Sequence, residues 1–475
     1  MFTLDRMYVN GEYIEPQGKE IQRLINPATQ EVIGQVVLGN EEDARLAIAA
    51  AKEAFATFSQ TSVEERSEML QRLHDAVLAN MDAMAEANIM EYGASTKSAI
   101  GRVKLAAANF LDTKQALDNF EFVRYIASAK VVSEPAGVVG IITPWNASYS
   151  QITAKLAAAI AAGCTVVIKP SELSALQTQR ITEAFHHAGL PKGVINVVNG
   201  YGHTVGAEFT RNPDVALISF TGSTRVGKEI LKGAAETLKR VTLELGGKSP
   251  NIILDDVDYT KVIPVAVAQG FMNNGQACVA GTRLLVPEHR LQEVKQLAQS
   301  AIRAVKVGNP WEEDTVLGPI VTEKQFLNVQ RYIQTGIDEG AELVTGGIGR
   351  PAGLEHGYFV KPTLFVNVTE DMTIAREEIF GPVLVVLTYK TVEEAIAIAN
   401  NTNYGLGAYV HSADLDQANR VASRIAAGVV SINGASPEMK APFGGYKQSG
   451  LGREYGEYGI AECLETKTIT GHGMQ

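Results

Sequence analysis

Cys278 lies in NNGQACVAGTR (273–283), between Gly275 and Gly281 and just after Asn273, Asn274 and Gln276. A polar, glycine-rich setting is unusual for a packing cysteine, and a thiol there could attack an electrophilic carbon as its thiolate. Free cysteine keeps its proton to a pH of about 8.5, so a partner or a field is needed. The nearest histidine in sequence, His289 in PEHR, shows no sign of pairing with it. Glu244, in LELGGKSP (243–250), ends an apolar stretch and precedes two glycines. Burial there would raise its affinity for a proton toward what a general base needs. Taken singly, Cys278 reads more readily as a small structural residue and Glu244 as part of a capped surface turn.

Two further stretches suit a nucleotide. FTGSTRVGKEI (220–230) follows an apolar run and opens a helix, with Gly222 permitting close backbone approach. Free N–H groups around Ser223 and Thr224 would suit a phosphate. It matches neither the dinucleotide glycine fingerprint nor a P-loop, and an ordinary capped helix start explains it too. IKPSE (168–172) puts Lys169 and Glu172 just past a buried strand, where open α/β sheets bind ligands. Both can hydrogen-bond ribose hydroxyls, and a surface ion pair is the alternative. EEIFGPVL (377–384) and APFGGYKQSGLGRE (441–454) join glycine-rich turns to charged and aromatic residues, as cleft-lining loops or as tight reversals.

The elements that must hold these residues follow from periodicity. Residues 41–120 repeat apolar positions at three and four and read as helices. From Val131 the texture changes to short apolar runs between helices: VVGII, TVVIKPSE, VINVVNG and VALISFTGS. The helix QITAKLAAAIAAG is expected to end on Gly163 as its C-cap. A second set follows Pro250: NIILDD, TRLLVPE, GPVLVVLTYK and GVVSING. Continuous apolar strands between helices predict parallel sheets buried on both faces. The fold class is therefore α/β, with two doubly wound, Rossmann-like units meeting near residue 248 without a long linker and leaving a cleft between them.

Composition narrows the function. The 475 residues carry a net charge of −11, which disfavours nucleic acid or an anionic membrane as the main partner. No apolar run reaches the roughly 18 residues of a membrane span, and the N-terminus has no signal-peptide core. The cysteines at 164, 278 and 463 have no metal-ligand spacing and leave an odd thiol, which suits a reducing cytoplasm. Cys164, in AAGCTVV, and Cys463 read as structural.

PWN (144–146), KPSE (169–172), FTGS (220–223), LELGGKSP, GQAC (275–278), EEIFGP (377–382) and PFGGYKQSG (442–450) occur in one order. That order, and the 34 residues from Glu244 to Cys278, resemble the NAD(P)-dependent aldehyde dehydrogenase superfamily. The likeness runs from INPAT (25–29) to LETKTIT (464–470). It implies that Cys278 attacks the aldehyde carbon, that Asn146 and the Cys278 N–H hold the oxyanion, and that Glu244 activates water against the resulting thioester. Lys155 and Glu454 fall where some members place a proton relay. No metal is implied.

For the cofactor, the resemblance puts Lys169 and Glu172 at the adenosine ribose and Ser223 with Trp145 at the pyrophosphate, facing the helix that Gly222 opens. Gly202 and His203 fall beside the adenine, Glu378 at the nicotinamide ribose and Phe380 near that ring. The resemblance implies Ile142, Thr143, Ser171, Val226 and Leu245 as further contacts. Glu172 accepts from a 2′-hydroxyl and repels a 2′-phosphate, so NAD is expected, with NADP use left open. The implied division is a cofactor domain at 1–116 and 134–246 and a catalytic domain at 247–446. A small β bridging or oligomerisation element with the tail comes from 117–133 and 447–475. EFVRYIAS (121–128) and LETKTIT could pair across subunits of a homodimer or homotetramer.

Two alternatives stand beside hydrolysis: a CoA-acylating enzyme, whose members usually lack the glutamate at 244, and a silent binding protein on the same scaffold. The chain also departs from its relatives. Where most read PWNFP, it has Ala147 and Ser148, followed by Gln151 and Ala154, and NGASPEMKA (433–441) lacks the usual tunnel aromatic. A wider, more polar substrate tunnel is expected.

Overall fold

The structure, a computed structural model, describes residues 1–472. The predicted helical region forms four helices, Glu41–Phe58, Val63–Ala79, Met81–Tyr92 and Thr96–Asp118. The first two start in reciprocal capping boxes, Asn40 with Asp43 and Ser62 with Glu65, which satisfy backbone N–H groups that a helix start leaves free. The helix after PWN runs Ser148–Ala162, three residues longer at its start than periodicity alone suggested. It ends on Gly163 at φ +86°, where a side chain would be strained.

Two large sheets organise the chain. An eight-stranded sheet has the order Gly450–Leu451, Arg240–Glu244, Val215–Thr221, Val138–Ile142, Thr165–Lys169, Ile195–Val197, Met7–Val9, Glu12–Ile14. Its five central strands are parallel and its edges antiparallel. A seven-stranded sheet holds Pro250–Ile253, Arg283–Pro287, Val383–Tyr389 and Val429–Ile432 together with Gly407–His411, Thr363–Val366 and the antiparallel edge Glu342–Thr345. Strands such as Val138–Ile142, Thr165–Lys169 and Arg283–Pro287 are buried throughout, as two-sided helix cover requires. The chain passes from one sheet to the other in five residues, Leu245–Ser249.

The small β element differs in one respect from the expectation of pairing across subunits. Within the chain, Val123–Ile126 and Leu464–Ile469 each pair antiparallel with the intervening strand Ala129–Pro135, so both motifs already have one partner. Their outer edges are the ones left open in this three-stranded sheet. Among the described residues, no helix is long and apolar enough to cross a membrane.

Candidate active site

The two sheets meet where their parallel strands end, and the sequence motifs converge on that seam. Glu244 is the last residue of Arg240–Glu244, in register with Thr221 on one side and Gly450 on the other. It is buried, and its Oε2 has no hydrogen-bond partner. Burial, and then the negative charge of Glu454, hold its carboxyl well above the usual range, against the pull of Lys155 and Arg453. Lys155, on the helix Ser148–Ala162, forms a buried ion pair with Glu454. Thr221 Oγ1 donates to Gln151 Oε1 (3.0 Å), which ties the helix Ser148–Ala162 to Glu244's neighbouring strand.

Cys278 follows the helix Tyr259–Phe271 through a sharp reversal. Asn273, Asn274 and Gly275 have φ of 56°, 57° and 72° in succession, conformations that asparagine and glycine tolerate best. Gly275 packs so tightly that a Cβ would come within 2.3 Å of Gly381 and Pro382. Gly247 is as confined: a Cβ there would lie 2.2 Å from the Cys278 carbonyl oxygen. Of the three cysteines Cys278 alone is partly exposed, while Cys164 and Cys463 are buried against each other, with the Cys164 thiol donating to the Cys463 carbonyl. Burial and the nearby carboxylates of Glu378 and Glu244 push the Cys278 thiol up to about 12, opposed by its own N–H and that of Val279.

Asn146 stands between the strand Val138–Ile142 and the helix that begins at Ser148. Its Nδ2 donates to the Gln276 carbonyl (2.9 Å), two residues before the cysteine. Asn273 Nδ2 donates to the carbonyls of both Asn146 (3.1 Å) and Gln276 (3.0 Å). Thus Asn146 and the Cys278 loop are one hydrogen-bonded unit across 130 residues of chain.

A cavity of about 650 Å³ opens beside this unit, lined by Ile142, Thr143, Lys169, Ser171, Glu172, Gly202, His203, Gly222 and Val226. Lys169 is buried, with its Nζ 3.6 Å from the partly exposed Glu172 carboxylate. Burial lowers the Lys169 pKa and Glu172 opposes that shift. Thr143 Oγ1 is buried without a partner. Ser223 caps the helix Thr224–Ala234, accepting from the Val226 N–H. Tyr201, which sequence reasoning missed, stacks on His203 with ring centroids 5.3 Å apart; Arg225 also lines the cavity.

Trp145, Ser223, Leu245, Glu378 and Phe380 are not in that lining. Trp145 and Phe380 meet edge to face at 5.5 Å, with Phe380 in a left-handed conformation (φ 58°). Glu378 Oε1 accepts from the Gly247 N–H (3.0 Å), and its pKa is raised to about 7 by burial against that hydrogen bond and Lys248. Leu245 is buried, its N–H bonded to the Ser449 carbonyl and its side chain against Gly227. Sequence reasoning also passed over the roles of Tyr92, Arg102, Asn273 and Gln276. The Asn-Asn-Gly run was the available signal, since it marks left-handed backbone.

The family model described as the aldehyde dehydrogenase family matches residues 13–469. A putative aldehyde dehydrogenase of Staphylococcus haemolyticus is 46% identical over 473 residues, 99% of this chain and 100% of that protein. The 3-succinoylsemialdehyde-pyridine dehydrogenase of a Pseudomonas species is 45% identical, covering 98% of each chain. Among solved structures, aldehyde dehydrogenase C from Pseudomonas syringae, a variant complexed with NAD+ and octanal, superposes with a TM-score of 0.98 at 48% identity, over 99% of this chain and 97% of that one. Betaine aldehyde dehydrogenase from Staphylococcus aureus, in complex with NAD+, gives 0.96 at 37% identity, over 99% and 96%. This chain belongs to the aldehyde dehydrogenase family.

Proposed function

We propose that the chain oxidises an aldehyde to the carboxylic acid with NAD as hydride acceptor and water as acyl acceptor, using Cys278 as nucleophile. One observation carries this reading: a partly exposed cysteine, a buried carboxylate whose charge acts on its thiol, and an asparagine amide bonded to the cysteine loop share one seam.

The Cys278 sulfur adds to the aldehyde carbon as its proton leaves, with Glu244 able to take it. Asn146 Nδ2 and the Cys278 N–H stabilise the oxyanion, which matters most in a dry site. When bound, NAD supplies the nicotinamide carbon that accepts the hydride, leaving a thioester on Cys278. Glu244 then accepts a proton from water as its oxygen attacks the thioester, and collapse expels the sulfur and releases the acid. Lys155 and Glu454 offer a route for that proton to leave. The 650 Å³ cavity fits the cofactor chemically, with a lysine–carboxylate pair for ribose hydroxyls, an unpartnered threonine hydroxyl and a helix start for the pyrophosphate. Trp145, Leu245, Glu378 and Phe380 would continue the site toward the sulfur. The carboxylate of Glu172 favours NAD over NADP.

The same reading assigns 1–116 and 134–246 to the cofactor domain, 247–446 to the catalytic domain, and 117–133 with 447–475 to the bridging element and tail. The exposed Tyr125 and Ile126 on an open sheet edge support assembly as a homodimer or homotetramer. A reducing cytoplasm suits the free thiols. Ala147, Gln151 and Ala154 support a wide, polar tunnel.

The test follows acid formation with NAD over acetaldehyde, octanal, hydroxylated and aromatic aldehydes, with and without CoA. Acid should form without CoA, and Cys278→Ala should lower kcat by roughly 10,000-fold while NAD binding persists. Product only as acyl-CoA, or an active Cys278→Ala enzyme, would overturn the reading. A strong preference for acetaldehyde would overturn the tunnel assignment.

A further inference from the structure

Tyr92 and Arg102 come from helices that contribute none of the residues assigned above, yet both reach the seam. Tyr92 closes the helix Met81–Tyr92 and is fully buried. Its hydroxyl lies 2.7 Å from Asn273 Oδ1 and 2.9 Å from the Asn273 carbonyl oxygen, and it accepts from Gln276 Nε2 at 3.1 Å. Gln276 Oε1 in turn accepts from the Val321 N–H. Arg102, on the helix Thr96–Asp118, donates through Nη1 to the Asn146 carbonyl (2.8 Å) and lies over the Tyr92 ring, 4.6 Å from its centroid.

Arg102 takes part in none of the ion pairs among the described residues. Burial lowers its pKa. A guanidinium set into the protein without a carboxylate is costly, and here a carbonyl and an aromatic face are what offset it. Both of those contacts lead to the catalytic unit. The Asn146 carbonyl is held by two donors, Arg102 Nη1 and Asn273 Nδ2, while its amide spends one N–H on Gln276. The other N–H remains for an oxyanion. We infer that Tyr92 and Arg102 are positioning residues that lock the Asn146 amide and the Cys278 loop into register for oxyanion stabilisation. This rests on the oxyanion role proposed for Asn146.

Misplacement by about 1 Å can cost a hundredfold in rate, so partial loosening predicts a drop of about 10- to 30-fold in kcat. The experiment measures kcat, and KM for aldehyde and NAD, in Arg102→Met, Arg102→Lys and Tyr92→Phe, each alone and combined with Asn146→Ala. Expected are a kcat loss of about that size in Arg102→Met with KM for NAD within about twofold, and partial recovery in Arg102→Lys. In the Asn146→Ala background the cost of Arg102→Met should fall below about twofold, because Arg102 bonds Asn146 itself and residues acting through one group are not additive. Tyr92→Phe keeps the ring under the guanidinium and removes only the hydroxyl, so it tests the same lock if Arg102→Met fails to fold. Equal costs in both backgrounds, or Arg102→Lys no better than Arg102→Met, would overturn the inference. Full kcat in Asn146→Ala alone would overturn the underlying oxyanion role instead.

Discussion

The cleft proposed for the cofactor and the seam proposed for catalysis are both built at strand ends, but they handle charge in opposite ways. In the cleft, Lys169 has Glu172 within 3.6 Å, and the carboxylate is partly in solvent. At the seam, Glu244 is buried with one oxygen unpartnered, and Glu454 raises its pKa further. The difference follows from the two tasks. A group that only recognises hydroxyls works best already ionised and solvated. A group that must take a proton gains from burial, which raises its affinity for that proton, provided that it is ionised at the working pH.

Removing the held-back charge is the most severe test of that contrast. Glu244→Gln should slow thioester hydrolysis by roughly 100- to 10,000-fold, the usual worth of a general base. The first turnover of NADH should survive, leaving an acyl group on Cys278 visible by intact-protein mass spectrometry. The pH dependence has a definite sign. Because burial raises the Glu244 pKa, the carboxyl is neutral at low pH and cannot accept a proton. Hydrolysis should therefore speed up as pH rises through that pKa, and the limb should vanish in the variant. A full steady-state rate in Glu244→Gln would erase the contrast with Glu172.

In the cleft the expected effect is smaller and selective. Glu172→Gln keeps a hydrogen-bonding side chain and removes the repulsion toward a 2′-phosphate. The ratio of kcat/KM for NADP to that for NAD should rise about tenfold, equivalent to about 1.4 kcal/mol. Hydrolysis of a preformed acyl-enzyme should not change. An unmoved ratio would mean that cavity shape, and not this charge, selects the cofactor.

The two regions were also unequally legible in the sequence. The cavity-lining residues Lys169, Glu172 and Gly222 sit beside strand ends and helix starts that periodicity locates, so local pattern could single them out. The order of motifs marked Cys278, Glu244 and Asn146, but not what holds them. Tyr92 meets Asn273 across 181 residues and Arg102 meets Asn146 across 44, contacts that no local periodicity encodes. Glycines tell the same story. Gly246 and Gly247 read as a turn, yet their confinement comes from Glu378, whose Oε2 would lie 2.4 Å from a Cβ at Gly246, and from the Cys278 carbonyl. The N-terminal strands and Gly407–His411 went unread because short or glycine-containing runs carry little periodic signal.

Glu378 belongs to both regions, and it offers the finest test of where one ends. It is proposed to hold a ribose, its carboxylate is bonded to Gly247 next to the seam, and its charge raises the Cys278 pKa. Its own pKa of about 7 makes that influence conditional on pH. Below about pH 6 Glu378 is neutral, so Glu378→Gln should leave the thiol unchanged. At pH 8.5 the carboxylate is ionised and opposes thiolate formation, and the variant lacks that opposition. The thiolate fraction, and with it the rate of iodoacetamide alkylation of Cys278, should then be about threefold higher in Glu378→Gln than in the wild type. Cys164 and Cys463 are buried and serve as unreactive internal controls in the same peptide map. Equal alkylation rates at both pH values would place Glu378 wholly in the cleft. A gap that opens only above pH 7 would make it the residue through which the cofactor site and the nucleophile sense each other.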